Sequence, residues 1–286
     1  MQVGVVFPQT EIGADVGAIR DYALTVQELG FRHILAYDHV VGADPAAHPG
    51  DWPFHVDSTF HEPFVLFGYL AGVVPRLELV TGVIILPQRQ TVLVAKQAAE
   101  VDLMTGGRFR LGVGVGWNAL EYEALGEDFG NRGRRSEEQI ELMRRLWTDR
   151  SVTFDGHFHR TTAVGIAPKP IQRPIPVWLG ARSAPGYRRA GRIADGWFPM
   201  VPPGPALDAA LAEVRQAAVA AGRDPDSIGM EGRLDWQGDV DDVVAQLNRW
   251  AAAGASHVSL NTMDTGLATV DDHLAALRTV ADAIRP

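Results

Sequence analysis

The sequence predicts an α/β protein with a (β/α)8 TIM-barrel fold. Short apolar segments alternate along the chain with amphipathic helical patterns, which is typical of parallel β-α units. Polar residues gather directly after the apolar segments, where barrel enzymes carry their active sites. The eight predicted strands are Val3–Phe7, His33–Tyr37, Leu79–Leu86, Phe109–Val115, Val177–Leu179, Gly196–Pro199, Ile228–Gly232 and Ser256–Leu260.

Helices are predicted where apolar residues recur every three or four positions. The helix after the fourth strand is expected to begin at Ser136, because Ser136 and Gln139 have the spacing of a capping box. Ser183 and Pro185 suit the first turn of the helix after the fifth strand. The other apolar stripes cover about 19–29, 92–103, 207–214, 240–247 and 274–284.

Two segments interrupt this alternation. Residues 40–61, after the second strand, lack periodicity and are rich in Pro, Gly, Asp and His, so we predict a lid loop over the barrel mouth. Residues 148–176, before the fifth strand, contain a predicted hairpin with an Asp155-Gly156 turn and then a proline-rich approach. We expect one domain over residues 1–286, with these two segments as insertions.

Composition excludes several classes of function. The formal net charge of −9 argues against nucleic acid as a partner, because phosphate binding needs a basic face. The chain has no cysteine, which excludes disulfides, thiol catalysis and thiolate metal sites. No apolar run reaches the length of a membrane span, and a strand pattern follows Met1 at once, without a signal peptide. We therefore expect a cytoplasmic enzyme that acts on a small molecule.

The second and third predicted strands end in unusual residues. Asp38 and His39 place an acid beside a titratable imidazole, and such a pair at a barrel rim could move protons or orient a ligand. The alternative is that Asp38 caps a helix and His39 lies on the surface. Gly82 indicates a bulge, a close approach of backbone to a ligand, or a distorted barrel strand.

The fourth and fifth predicted strands end in glycine-rich segments. Gly112, Gly114 and Gly116 alternate, which strips one strand face of side chains and makes room for a flat ligand or an anion. The turn and helix of a dinucleotide-binding unit do not follow, so we reject that interpretation. The segment Gly180–Ser183 leads into a helix whose free amides, with Arg182, suit a phosphate, unless Ser183 simply caps the helix.

No metal or nucleophile motif accompanies these junctions. The nine histidines show no metal-ligand spacing, and there is neither a nucleophile elbow nor a clear pair of catalytic carboxylates. We therefore expect no metal, and we expect a cofactor to bring the chemistry. Basic clusters at Arg108 and Arg110, and at Arg132, Arg134 and Arg135, could receive an anionic ligand or could lie in solvated loops.

Together these segments resemble the bacterial luciferase-like superfamily of flavin and deazaflavin oxidoreductases. The resemblance runs nearly from end to end and depends on an ordered set of motifs. Within the superfamily, the chain is most similar to the branch that uses coenzyme F420, a deazaflavin restricted to hydride transfer. The motifs are Asp38-His39, Thr81–Pro87, Ala95–Ala99, Gly106–Gly114, the proline-rich run before Val177–Gly180, and Ala194–Trp197.

The resemblance implies residues that bind the cofactor. Relatives carry a bulge with a non-proline cis peptide behind the cofactor ring, which would fall at Gly82–Val83. Relatives also bind the phosphate of the cofactor tail with main-chain amides, which would come from 115–118 and 180–183. The expected cofactor-binding residues are Asp38, Gly82, Val83, Val115, Gly116, Trp117, Asn118, Gly180, Ala181, Arg182 and Ser183.

The resemblance also implies a catalytic residue. In the sugar-phosphate dehydrogenases of this group, the His that matches His39 takes the substrate proton and a Glu after the fourth strand assists. Trp117 stands here in place of that Glu, which argues against sugar-phosphate oxidation and implies an apolar active site. We expect His39 to be the catalytic residue and the substrate to be flat or hydrophobic.

The expected function is hydride transfer between F420 and an organic small molecule. An FMN-dependent monooxygenase is the alternative enzyme, since both cofactor tails carry a phosphate. The F420 tail is longer and polyanionic, so Arg132, Arg134 and Arg135 favour it. A non-catalytic flavin-binding barrel is the alternative from another class. Relatives are commonly dimers, so we expect a homodimer.

Overall fold

The computed structural model describes residues 1–50 and 52–284. Asp51, which falls in the predicted lid, and Arg285 and Pro286 lie outside the described residues. Strands in the described chain alternate with helices. The strands are β1 (Gln2–Val6), β2 (His33–Ala36), β3 (Glu78–Thr81), β4 (Ile84–Ile85), β5 (Phe109–Gly114), β6 (Val152–Asp155), β7 (Arg160–Val164), β8 (Val177–Ala181), β9 (Gly196–Pro199), β10 (Gly229–Asp235) and β11 (His257–Asn261).

Eight parallel strand positions close into a barrel. β1 lies between β2 and β11, and the sheet continues from β11 through β10, β9 and β8 to β5. β3 pairs with both β2 and β5, which closes the ring, and β4 extends the position of β3 along β5. The parallel pairing of successive β-α units confirms the predicted (β/α)8 barrel.

The third barrel position departs from the predicted single strand Leu79–Leu86. It is divided into β3 and β4 at Gly82 and Val83, and the peptide bond between these two residues is cis. β4 then resumes the pairing with β5, with Ile84 opposite Val113. The interruption is the bulge that the family resemblance implies at this position.

Helices cover the outside of the barrel, and a large apolar core lies between the two layers. Successive residues of a strand face opposite sides, so a second, smaller apolar cluster fills the barrel interior. This interior cluster consists of Val6, Leu35, Val80, Trp178, Phe198 and Met263. The helices are α1 (Gln9–Ile12), α2 (Val16–Glu28), α3 (Pro63–Val73), α4 (Thr91–Met104), α5 (Ala119–Ala124), α6 (Arg132–Thr148), α7 (Ala184–Ile193), α8 (Pro205–Ala220), α9 (Val240–Ala252) and α10 (Val270–Ile284).

The start of α6 corrects one prediction. The helix begins at Arg132, so Ser136 does not begin it and the expected capping box is wrong. Ser136 Oγ donates a hydrogen bond to the carbonyl of Gly133 within the helix. Gln139 Nε2 donates instead to the carbonyl of Arg89, and so uses its amide to hold the loop after β4.

The two insertions adopt different structures. The described part of residues 40–61, here called the lid, forms no helix or strand apart from an isolated bridge between Ala43 and His55. The second insertion contains the predicted hairpin, made by antiparallel β6 and β7. The expected Asp155-Gly156 turn is wrong, because pairing ends at Asp155 and Arg160 and residues 156–159 form the loop.

In the part of the chain that the structure describes, no helix combines the length and the apolar character needed to cross a bilayer.

Candidate active site

The expected cofactor-binding segments meet at the carboxyl ends of neighbouring strands. β4 pairs with β5, and β5 pairs with β8, so the segments at their ends lie side by side. These segments are Gly82–Val83, 115–118 and 180–183. The fold therefore brings to one barrel mouth the groups that are separated along the sequence, as expected for a barrel enzyme.

The bulge at Gly82 and Val83 is shaped by the barrel interior. A Cβ atom at Gly82 would lie 2.2 Å from Leu35 Cδ2, so a larger residue would displace that core side chain. The Val83 side chain packs against the interior cluster and is only half-buried at the mouth. The Asp38 carboxylate accepts a hydrogen bond from the amide of Ile85 at 3.0 Å, which holds the segment after the bulge.

Asp38 belongs to a buried charge cluster. Its Oδ1 accepts a hydrogen bond from Arg89 Nη2 at 2.8 Å, and Arg89 Nη1 donates to Glu62 at the same distance. Burial raises the pKa of Asp38, and the Arg89 guanidinium opposes that effect only in part. The two carboxylates raise the pKa of Arg89, although burial alone would lower that pKa. Asp38 thus holds the backbone next to the bulge, through the Ile85 amide, and does not cap a helix.

The alternate glycines make room for the bulge. A Cβ atom at Gly114 would lie 2.6 Å from Val83 Cγ2, and one at Gly180 would lie 3.3 Å from Val83 Cγ1. A Cβ atom at Gly112 would lie 1.8 Å from the Thr81 carbonyl oxygen and 2.9 Å from Phe198 Cε2. The space beside these glycines, where the sequence predicts a flat ligand, is therefore filled by Val83, the Thr81 backbone and Phe198. The interpretation of these glycines as a direct ligand ledge is corrected.

The loop after β5 is held from both sides. Gly116 has a φ of 66°, a left-handed conformation that glycine adopts without strain. The Tyr122 hydroxyl donates to the carbonyl of Val115 at 2.7 Å, and Asn118 Oδ1 accepts an amide hydrogen bond in the first turn of α5. The side chain of Trp117, in contrast, remains 40% exposed. The loop therefore offers a fixed backbone and one partly exposed aromatic ring.

The start of α7 is open to an anion. Ser183 occupies the N-cap position, but its side chain makes no capping hydrogen bond. The first-turn amides therefore lack a side-chain partner, which is the arrangement that binds phosphate groups. Arg182 is exposed and makes no ion pair within residues 1–50 and 52–284. Ser183 therefore takes the predicted N-cap position but does not cap the helix through its side chain.

His39 is enclosed by aromatic rings beside the lid. The ring centroids of Phe54 and Phe60 each lie 4.8 Å from that of His39, and the Trp117 ring lies 6.0 Å away. The His39 side chain is 14% exposed. Its Nδ1 atom lies 3.2 Å from Oε1 of Glu121. His39 is therefore a partly enclosed member of the site and not a simple surface residue.

Glu121 is the site residue that sequence reasoning missed. Its side chain is 2% exposed, and Oε1 also accepts the amide hydrogen of Val40 at 2.9 Å. Burial raises the pKa of Glu121, but hydrogen bonds from His39, Val40 and Gln88 outweigh burial and hold the pKa below its usual range. The carboxylate corrects the expectation that replacement of a Glu by Trp117 leaves the site wholly apolar.

A cavity of about 360 Å³ lies between His39 and the lid. No Lys or Arg side chain lines it within the described residues, and its walls combine apolar side chains with polar groups. The polar groups that reach it come from His39, His55, Ser58 and Asn118. A cavity of this size and lining suits a small neutral organic molecule.

The basic clusters are largely engaged in local contacts. Arg110 lies inside the barrel, where it binds two glutamates. The Arg132 guanidinium lies 3.7 Å from the ring centroid of Phe129, and Arg135 pairs with a glutamate. Arg134 is exposed.

Among the described residues, no group of three or more His, Asp or Glu side chains is arranged to hold a metal ion.

Comparison with known proteins defines the family. Residues 1–234 match the family model of luciferase-like monooxygenases. An uncharacterized protein of Mycobacterium tuberculosis is 31% identical over 261 residues, covering 88% of each chain. The F420-dependent glucose-6-phosphate dehydrogenase of Nakamurella multipartita is 31% identical over 244 residues, which is 82% of this chain and 68% of that protein. The FMNH2-dependent dimethylsulfone monooxygenase of Pseudomonas putida is 32% identical over 166 residues, or 57% of this chain and 46% of that protein.

Solved structures show the same fold. The monooxygenase RslO1 from Streptomyces bottropensis superimposes with a TM-score of 0.81 at 21% identity, covering 99% of this chain and 98% of that one. An F420-dependent secondary alcohol dehydrogenase gives a TM-score of 0.80 at 18% identity, covering 100% of this chain and 99% of that one.

The chain belongs to the luciferase-like monooxygenase family. It is an oxidoreductase that depends on a flavin or a deazaflavin.

Proposed function

We propose that the protein transfers a hydride between coenzyme F420 and a small, neutral organic substrate. The observation that carries the proposal is the barrel mouth, where the bulge at Gly82–Val83, the open start of α7 and the mouth of the His39 pocket occur together. A bound deazaflavin supplies a two-electron hydride donor or acceptor. The similarity to an F420-dependent dehydrogenase over most of this chain supports that cofactor.

The residues at the mouth fit a cofactor with a flat ring and an anionic tail. Val83 presents a half-buried apolar side chain, supported by the buried Asp38 carboxylate through Ile85. The first-turn amides of α7 and the unpaired Arg182 would hold a phosphate, because anions bind at helix N-termini. The amides of 115–118 lie on the neighbouring strand end and would add to the same tail site.

His39 would move the proton that accompanies the hydride. Reduction of a carbonyl needs a proton donor at its oxygen, and oxidation of an alcohol needs a proton acceptor there. The imidazole lines the cavity under the lid, next to apolar walls. The absence of Lys and Arg from the described cavity lining favours a neutral substrate, since an anionic one would lack a charge partner.

An FMN-dependent monooxygenase is the second candidate. A relative that depends on FMNH2 shares part of the chain, and the same helix N-terminus suits the single phosphate of FMN. Arg132 and Arg135 are engaged in local contacts, which removes part of the argument for a longer polyanionic tail.

Titration of the purified protein with F420, and separately with FMN and FMNH2, tests the proposal. We expect F420 to bind at least about tenfold more tightly than either FMN form, a difference of about 1.4 kcal/mol. Arg182→Gln should weaken F420 binding about fivefold, because it removes a cation beside the tail site. The matched control is Arg188→Gln on α7, which removes an exposed arginine paired with Glu213.

Preference for FMN or FMNH2 would replace the proposal with the monooxygenase. Binding of none of the three molecules would contradict every flavin-based function at this mouth. Equal effects of the Arg182 and Arg188 substitutions would show that the tail does not bind at the start of α7.

Three further expectations stay predictions: a homodimer, a cytoplasmic location, and a single domain over residues 1–286. The homodimer is supported by α3, whose eleven residues include no charged side chain although Val65 and Tyr69 are exposed. A helix that is apolar on all sides is ordinarily covered by another protein surface.

A further inference from the structure

The Glu121 carboxylate is placed between the start of the lid and the His39 ring. It projects from the first turn of α5, which Asn118 caps. Oε1 accepts the Val40 amide hydrogen at 2.9 Å and lies 3.2 Å from His39 Nδ1, while Gln88 Nε2 lies 3.4 Å from Oε2. A backbone amide, a side-chain amide and the imidazole therefore converge on one buried carboxylate.

This contact selects the protonation of the His39 ring. An ionised carboxylate only accepts hydrogen bonds, so the nitrogen that faces Glu121 must carry the hydrogen. In neutral His39 the hydrogen is therefore on Nδ1, and Nε2 keeps a free lone pair at the tip of the ring. Nε2 makes no hydrogen bond within the described residues.

Glu121 makes no ion pair with another cation in the described chain. The neighbouring Arg89 is already bound by Asp38 and Glu62. The other titratable group on the lid cavity is His55, which lies beside the exposed Asp57. The charge of Glu121 is therefore directed at His39, and it stabilises the ring when Nε2 gains a proton.

We propose that Glu121 is a positioning residue that makes Nε2 of His39 the atom that exchanges a proton with the substrate. The role in turnover rests on the proposed function. When an alcohol is oxidised to a carbonyl, Nε2 would take the proton from its oxygen, and a bound F420 would supply the acceptor for the hydride from its carbon. In the reverse direction the imidazolium returns that proton. Glu121 thus supplies a carboxylate that Trp117 lacks. It contacts the imidazole at Nδ1, on the side of the ring away from the substrate.

Nitrogen NMR of the imidazole rings tests the proposal on the protein without cofactor or substrate. One-bond and multiple-bond proton–nitrogen correlations distinguish the two neutral tautomers, and the His39 signals are assigned from their loss in His39→Asn. We expect neutral His39 to carry its hydrogen on Nδ1. Glu121→Gln should raise the population of the Nε2 tautomer, because a neutral amide holds the Nδ1 hydrogen less strongly than a carboxylate does.

The matched control is Glu123→Gln, which removes an exposed carboxylate from the same short helix. It should leave the His39 hydrogen on Nδ1, because exposed charges are screened. A wild-type hydrogen on Nε2 would overturn the proposal even if Glu121→Gln failed to fold. Equal changes of the tautomer populations in the two variants would overturn it as well.

The outcome is separable from that of the proposed function. The cofactor titration reports on the mouth and α7, whereas the NMR spectra report only on His39 and Glu121. With F420 bound and a panel of neutral ketones and aldehydes, Glu121→Gln should lower kcat at least about tenfold while F420 affinity stays within about twofold of wild type. Glu121→Asp should restore part of that loss by restoring the charge.

Discussion

Two histidine–glutamate pairs lie at different depths of the same barrel. His33 and Glu231 are 2.9 Å apart inside the barrel, and their side chains are 0% and 1% exposed. His39 and Glu121 are 3.2 Å apart at the mouth, where His39 lines a cavity. The residue types are the same, so the difference between the pairs arises from their surroundings.

The surroundings of the inner pair are closed and charged. Arg110 Nη1 and Ser259 Oγ donate to Glu231 at 2.6 and 2.5 Å. Burial raises the pKa of Glu231, but the interactions with His33 and Arg110 hold that pKa well below its usual range. His33 faces the carboxylate with Nε2, and its buried Nδ1 has no hydrogen-bond partner among the described residues.

The outer pair has the opposite arrangement. His39 faces its carboxylate with Nδ1, so Nε2 remains for a ligand. The comparison teaches that a ligand's access to the imidazole, and not the residue types, distinguishes a pair that stabilises the fold from a pair that can take part in a reaction. The inner pair should therefore contribute to folding, and the outer pair to turnover.

Glu231→Gln should give the largest effect and affect stability. We expect a loss of about 3–5 kcal/mol in the free energy of unfolding, because the buried Arg110 loses the counter-charge of Glu231. Glu121→Gln should cost about 1–2 kcal/mol, because it leaves no buried arginine without its partner. Urea unfolding at pH 7 measures both. Equal losses would show that the two pairs do not differ in the way proposed.

His39→Ala should give the next largest effect and affect chemistry. We expect kcat to fall about 10²- to 10³-fold, equivalent to about 3–4 kcal/mol, because a proton donor or acceptor is removed. The F420 dissociation constant should stay within about twofold of wild type. Steady-state rates on a panel of neutral carbonyl compounds, together with fluorescence titration, measure the two quantities. An unchanged rate on every substrate that is turned over would exclude a role for His39 in proton transfer.

His257→Gln should give the smallest effect and depend on pH. The His257 ring lies 6.0 Å from that of His33, and burial together with Arg110 lowers the pKa of His257 to about 4. An unfolded histidine binds its proton near pH 6.5, so the unfolded state holds more protons between about pH 6.5 and 4. Stability from this group therefore falls as the pH falls through that window.

Replacement of His257 should flatten this part of the stability profile by about 1 kcal/mol at pH 5, allowing for partial solvation. The exposed His48 provides the control, and His48→Gln should leave the profile unchanged. Thermal unfolding between pH 4.5 and 7.5 measures both variants. If the stability of His257→Gln changes with pH as steeply as that of the wild type, the pH dependence arises from other groups.

Local patterns predicted most of the fold. The strands alternate with helical stripes, and both patterns depend on neighbours within a few residues. No stripe predicts α3, because its eleven residues are apolar on every side and show no periodicity. The bulge at Gly82 and Val83 was predicted from family motifs, and its contact with Leu35 explains why glycine is needed there.

The site was predicted only in part. Asp38 and His39 are adjacent in sequence and stand directly after a strand, so they were found. Glu121 lies 82 positions from His39 and is one of several acidic residues after the fourth strand. Nothing in the spacing of Glu121, Glu123 and Glu127 indicates which carboxylate turns inward.

By itself, the sequence determined the order of the β-α units, the place of the interrupted strand and the histidine at the rim, since each is encoded within a short stretch of chain. The tertiary structure alone decided which acid meets which imidazole, and which arginines are buried. Those pairings depend on ring closure, which brings strands far apart in the chain into contact and sets whether solvent or a ligand can reach them.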